Sequence, residues 1–191
     1  MIFLLDILGS TIAASLVLLT LIQFNFTTSD IRNEFQSSNT VQSGTKDLAE
    51  VFEFDFYKAG FRVTHKDVFI VANDSTIKFL ADLHNNGIMD TILYSVGSAS
   101  QASYTENPDD RPVFRKVNNG LSDAIGIVKD FTITYNDSTK TSISAATLNT
   151  VAGRRKIKSI SFNLVYESQW KSNEAYQVAE WKKTIYPKNI N

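Results

Sequence analysis

The chain has 191 residues, 43% of them hydrophobic, a net charge of −1 at pH 7 and no cysteine. That length accommodates one ordinary domain plus an additional element. Without cysteine the chain has no disulfide, thiolate metal site or thiol nucleophile of its own, and the near-zero charge gives no general attraction to nucleic acid or anionic lipid.

The first element is "MIFLLDILGSTIAASLVLLTLIQFNF". No charged residue occurs between Asp6 and Asp30. The stretch from Ile7 to Phe26 is long enough to cross a bilayer core as a helix at about 1.5 Å per residue. Its Ser10, Thr11, Ser15 and Thr20 hydroxyls can bond back to their own helix, and Gly9, Ala13 and Ala14 permit close helix neighbours. The first basic residue is Arg32, so the cationic start of a secretory signal is missing. Gln23-Phe24-Asn25 also fits poorly with a small-residue cleavage site, and the segment is expected to remain in the mature protein.

Asp6 breaks the apolar run. A carboxylate near the end of a membrane helix costs less than one at the centre, and a helix N-terminus favours it, but no basic residue is nearby in the sequence. It reads either as a helix-start acid in the headgroup region or as the partner of an α-amino group, its own chain's or that of a neighbouring identical chain.

From Ser29 or Asp30, both candidate N-caps, helix-compatible residues continue to Ala59. Ile31 and Phe35 lie one turn apart, and Leu48, Val51, Phe52 and Phe56 make a broad apolar face. Gly60 is the expected helix stop. The polar stretch "QSSNTVQSGTKD", with Gly44 inside it, is a place where the helix could loosen or break. If it stays continuous, the helix from Ile2 to Ala59 would be roughly 85 Å long.

After Gly60 the pattern changes to alternation. Ile77, Phe79 and Ala81, then Ile92, Tyr94 and Val96, then Phe131, Ile133 and Tyr135, then Ile160, Phe162, Leu164 and Tyr166 each mark one face of a strand. Turns are expected at Asn86-Gly87 and in "TYNDSTK". An antiparallel sheet laid on the second half of the helix gives an α+β fold. The division is residues 1–28 as an apolar transmembrane or filament-core helix, 29–60 as its amphipathic continuation, and 61–191 as a β-rich globular domain.

Enzymatic motifs are missing: there is no P-loop, dinucleotide fingerprint, HExxH or nucleophile elbow. His65 and His84 sit among polar residues near turns and read as exposed structural histidines. In "ENPDDRP", Asp109 and Asp110, with Glu106, are the only weak metal candidates, as oxygen ligands for calcium without the spacing of an EF-hand. No metal, cofactor or catalytic activity is expected. "GRRKIK" (Gly153 to Lys158) reads as a solvated turn before an exposed strand rather than a phosphate or lipid contact. The aromatics from Phe24 to Tyr57 read as packing, and nothing suggests nucleic-acid binding.

With Met1 removed, the chain would begin "IFLLD" and place Asp6 fifth. In this the sequence resembles the type IV pilin and pseudopilin superfamily, whose retained apolar helix carries an acid, usually Glu, at the fifth mature position. "FEFDFYKAGF" (Phe52 to Phe61) resembles the end of the long helix in minor pilins, and "AIGIVKDFTITYND", "RRKIKSISFNLVYES" and "WKKTIYPKN" resemble strands of their globular domain. The resemblance implies a structural subunit of a type IV pilus-like or type II secretion-like filament, polymerising through its helix with its own copies or with other pilin subunits. It makes Ile2 the new, methylatable N-terminus and Asp6 the acid that pairs with a neighbour's amino group. It implies inner-membrane residence before assembly and a place at the cell surface afterwards. The competing expectation is a monomeric, membrane-anchored extracytoplasmic binding domain, which accounts for the apolar segment but not for Asp6 or the long helix.

Overall fold

The computed structural model describes residues 2–172 and 174–190, Ile2 by its backbone alone. A single helix, α1 (Ile2–Tyr57), runs without interruption for 56 residues, roughly 84 Å at the ordinary rise. The helix continues through "QSSNTVQSGTKD", as the reading of 29–60 as a continuation has it, and Ser29 and Asp30 lie inside the helix rather than capping one. Tertiary packing overrides the weak local propensity. Ser37, Val41, Thr45 and Leu48 are buried against the globular domain. Gly44 lets that domain approach, since a Cβ there would stand 2.8 Å from the Tyr166 ring. Thr40 and Thr45 donate their hydroxyls to the carbonyls of Gln36 and Val41, so they leave no unmet polar group on the helix.

Five strands follow as an antiparallel meander in chain order: β1 (Phe69–Ala72), β2 (Thr76–Ala81), β3 (Asp90–Val96), β4 (Arg111–Val117) and β5 (Ser122–Val128). A 3-10 turn, Ala99–Ala102, sits between β3 and β4. The chain then leaves this sheet at Lys129 and builds a second antiparallel one from β6 (Asp130–Asn136), β7 (Ser159–Glu167) and β8 (Val178–Ile185), with β7 central. Two short helices, α2 (Ala145–Leu148) and α3 (Val151–Arg154), lie between β6 and β7. The fold is therefore α+β as expected, with two sheets where one was foreseen.

The alternating residues occupy the core. Ile77, Phe79, Ala81, Ile92, Tyr94, Phe131, Ile133, Tyr135, Ile160, Phe162 and Leu164 are buried, and Val96 and Tyr166 are packed at its margin. The turn expected at Asn86-Gly87 lies in the loop 82–89 of the β2–β3 hairpin, where the buried Asp82 carboxylate gathers the Asn86 and Gly87 N–H groups at 3.0 and 2.9 Å. Two local expectations need correction. Val51 points outward, 36% exposed, so the apolar face of α1 is narrower than its composition suggests. The strand after "GRRKIK" is the buried central β7, with Gly153 and Arg154 placed in α3.

Helix and sheets are joined through two phenylalanines. The Phe52 ring lies 5.0 Å from Tyr94 of the first sheet and 5.0 and 5.8 Å from Phe131 and Phe162 of the second. Phe56, one turn on, lies 5.0 Å from Phe79 and 4.5 Å from Phe162. Between them on the same face is Asp55, 1% exposed. The Arg115 guanidinium donates from Nε to Asp55 Oδ2 at 2.7 Å and from Nη2 to Oδ1 at 3.3 Å, and the Tyr94 hydroxyl donates to the same carboxylate. Burial, reinforced by the Asp55 charge, holds the Tyr94 phenol well above its ordinary pKa.

Removing one partner of such a pair leaves the other charge buried and uncompensated. Arg115→Met is expected to cost about 3 kcal/mol, read from Trp fluorescence during denaturation of the detergent-solubilised chain. A loss under about 1 kcal/mol, the range of exposed pairs, would show that solvent already screens Asp55.

Candidate functional site

The first half of α1 is the most unusual surface of the molecule. Every described side chain from Phe3 to Gln36 is exposed, including Leu16, Val17, Leu18 and Leu19, each at least 60%. By length and composition this helix can cross a membrane. Its hydroxyls behave as the sequence suggests: Ser10 and Thr11 donate to the Ile7 and Leu8 carbonyls, and Ser15 and Thr20 to those of Thr11 and Leu16, at 2.8–2.9 Å. Such pairing removes the penalty of carrying them into an apolar environment.

Asp6 lies in the first turns of α1, exposed, with no ion-pair partner among the described residues. Ile2 is helical in its backbone, and Met1 lies outside the described residues, so the call on its removal does too. Ile31 and Phe35, beyond the membrane-length run, are 61% and 67% exposed. The apolar surface therefore extends past the segment that a bilayer would cover.

At the other end, hydrogen bonding of the α-helical type stops at Tyr57 and a tight turn carries the chain into Gly60. Gly60 has φ +79°, its N–H donates to Leu80 O at 2.8 Å, and a Cβ would meet the Asn189 carbonyl at 2.6 Å. The stop thus depends on glycine for its backbone conformation and for the passage of the C-terminal strap.

Asp109 and Asp110 part company. Asp109 is exposed, while Asp110 is 1% exposed with both carboxylate oxygens unpartnered. The neighbouring Glu167 is already engaged by the Lys129 ammonium at 2.6 Å and the Asn107 amide at 3.0 Å. No three His, Cys, Asp or Glu side chains converge as metal ligands among the described residues. Burial pushes the Asp110 carboxyl above the usual range, and the Glu167 and Asp109 charges add to this against an opposing Thr105 hydroxyl. His84 pairs through Nδ1 with Asp90 at 3.0 Å, and His65 lines a surface pocket with Lys66, Arg154 and Arg155. The Asp55, Tyr94 and Arg115 cluster was missed from the sequence. Its signal was an acid in phase with Phe52 and Phe56 on the face assigned to the core.

No family profile, curated protein or solved structure matches this chain. The pilin resemblance rests on the residues quoted above, and a long apolar helix packed on antiparallel sheet is compatible with that shape.

Gly60→Ala is expected to destabilise by about 2 kcal/mol, from the left-handed backbone and the crowding. An unchanged melting temperature would mean that the strap simply moves aside. For Asp110 the raised pKa makes the neutral acid the form that suits the fold. Its contribution is complete below the unfolded carboxylate pKa and is lost as pH rises through the folded value. Asp110→Asn should therefore melt above wild type near neutral pH, with the difference shrinking toward about pH 4. A lower melting temperature at neutral pH would show that the ionised carboxylate has a compensating partner.

Proposed function

We propose that this protein is a structural subunit of a type IV pilus-like or type II secretion-like filament, polymerising through α1. The observation that carries the reading is the helix itself: one unbroken rod, anchored in its domain by Phe52 and Phe56, whose first half is largely apolar with every described side chain exposed. A tether needs only enough apolar length to span a bilayer. Here exposed Ile31 and Phe35 continue toward the domain, where water would cover them in a monomer.

Packing the helix against helices of other copies replaces lipid and water with protein along that length. The contact joins different surfaces of identical chains, so it is heterologous and propagates into an open helical polymer. Asp6 then meets the α-amino group of a neighbouring subunit, whose Ile2 is the mature first residue. The small residues Gly9, Ala13 and Ala14 allow the close approach. Before assembly the chain resides in the inner membrane, and afterwards the sheets face outward on the filament. The partner is another copy or another pilin, and no catalytic step is involved.

The test is electron microscopy of cells expressing wild type and Asp6→Ala, with N-terminal mass spectrometry of the wild-type protein. Wild type is expected in filaments with a trimmed Ile2. Asp6→Ala is expected at the same membrane level but without filaments, a loss of at least about tenfold in polymer. Wild type found as an unprocessed membrane monomer would overturn the proposal in favour of a tethered binding domain.

A further inference from the structure

The pocket at the end of the domain beyond Gly60 carries a charge that the fold does not balance. Arg154, at the end of α3, is fixed by neutral partners, donating from Nε to Phe69 O and from Nη1 to Leu148 O, both at 3.0 Å. Its Nη2 bonds to nothing, and it has no carboxylate within ion-pair distance, among the described residues. Arg155 next to it is held by Asp67 through two bonds of 2.6 and 3.1 Å, which commits the one acid on this rim. His65 and Lys66, both exposed, complete the basic side. The sequence from Ser138 to Tyr166 contains no acid at all.

The pocket has a volume of about 220 Å³. Val63 and Ile190, both half-buried, give it apolar wall, and Thr64 and Asn189 add neutral polar groups. We propose that it is a binding site for a single sugar ring bearing a carboxylate or a phosphate. A guanidinium held in place by carbonyls is pre-organised for a planar or tetrahedral anion and loses little freedom on binding it. The volume is below that of pockets for drug-sized ligands and suits one ring. Thr64 and Asn189 offer partners to ring hydroxyls, and Val63 and Ile190 take the ring's C–H face.

Nucleic acid is the poorer occupant, because Phe69 is buried and the His65 imidazole is the one ring of the described lining left for a base to stack on. Lipid headgroups beside the apolar run are out of reach, since the helix from Phe26 to Gly60 covers roughly 50 Å. The site does not depend on the filament proposal, because binding is read on the unpolymerised chain.

The experiment is titration calorimetry on the full chain in detergent micelles, with glucuronate and glucose 6-phosphate as ligands. Glucose, inorganic phosphate and a short single-stranded oligonucleotide serve as competitors of simpler or different chemistry. At least one acidic sugar is expected to bind, with glucose and phosphate at least about tenfold weaker. Lys66→Glu, at an exposed position with no ion pair among the described residues, is expected to weaken binding about tenfold at an unchanged melting temperature. Lys116→Glu, on β4 outside the pocket, should leave it unchanged. The proposal is overturned if neither acidic sugar binds, if glucose, inorganic phosphate or the oligonucleotide binds as tightly, or if Lys66→Glu and Lys116→Glu act alike.

Discussion

Phe52 and Phe56 stand where three surfaces meet. The two sheets share no strand, and what brings Tyr94 and Phe79 of one toward Phe131 and Phe162 of the other is the pair of rings that α1 inserts between them. Aromatic contacts at these separations bury large apolar areas and prefer defined tilts, so they fix the angle of the helix as well as its depth. Asp55 adds direction to this adhesion. Its charge is compensated only when α1 presents that face to Arg115 and Tyr94, which opposes a rotation of the helix that hydrophobic contact alone would tolerate.

A helix held so firmly at one end transmits its orientation along its length. The polar middle of α1 has residues of middling helix propensity, yet it remains helical because one side of it, Ser37, Val41 and Thr45, is packed; the Thr40 and Thr45 hydroxyls bond to carbonyls one turn back, while that of Ser37 is buried without a partner among the described residues. The outcome is a rod whose far half is apolar on every side. Burying all-round apolar surface requires lipid or other helices, and the protein's own sheets are too far along the rod to provide it.

Elements with strong periodicity were legible in the sequence: the apolar run, the four alternating strand faces and the glycine that ends the helix. Each reflects local geometry, where residue spacing alone selects a face. The continuity of α1 was read from its helix-compatible run, but a break at Gly44 stayed open, because the Tyr166 ring that packs there arrives from a distant strand. The division into two sheets was equally hidden. Alternation says which face of a strand is buried but not which neighbour covers it, and β4 and β5 carry weaker alternation with a half-exposed burial pattern. For the candidate site, Asp6 and Gly60 came from pattern and resemblance, while the Asp55 cluster and the Arg154 pocket are assembled from segments far apart in the chain. The separate fates of Asp109 and Asp110 turn on a single step of loop geometry that composition does not encode.

The order of contacts along the chain has a temporal consequence. Phe52 and Phe56 are made early in synthesis, but their partner Phe162 lies in β7, near the other end of the chain, and β7 is the strand that both β6 and β8 need for pairing. Closing such distant contacts carries the entropy of a long loop and slows folding. Until β7 emerges, the wedge on α1 and the inner faces of β1 to β6 remain open to solvent, beside a helix that has already entered the bilayer if it serves as an anchor. Nascent chains of this protein therefore pass through a half-built stage with exposed aromatic surface, the stage at which chaperones and proteases act on such chains.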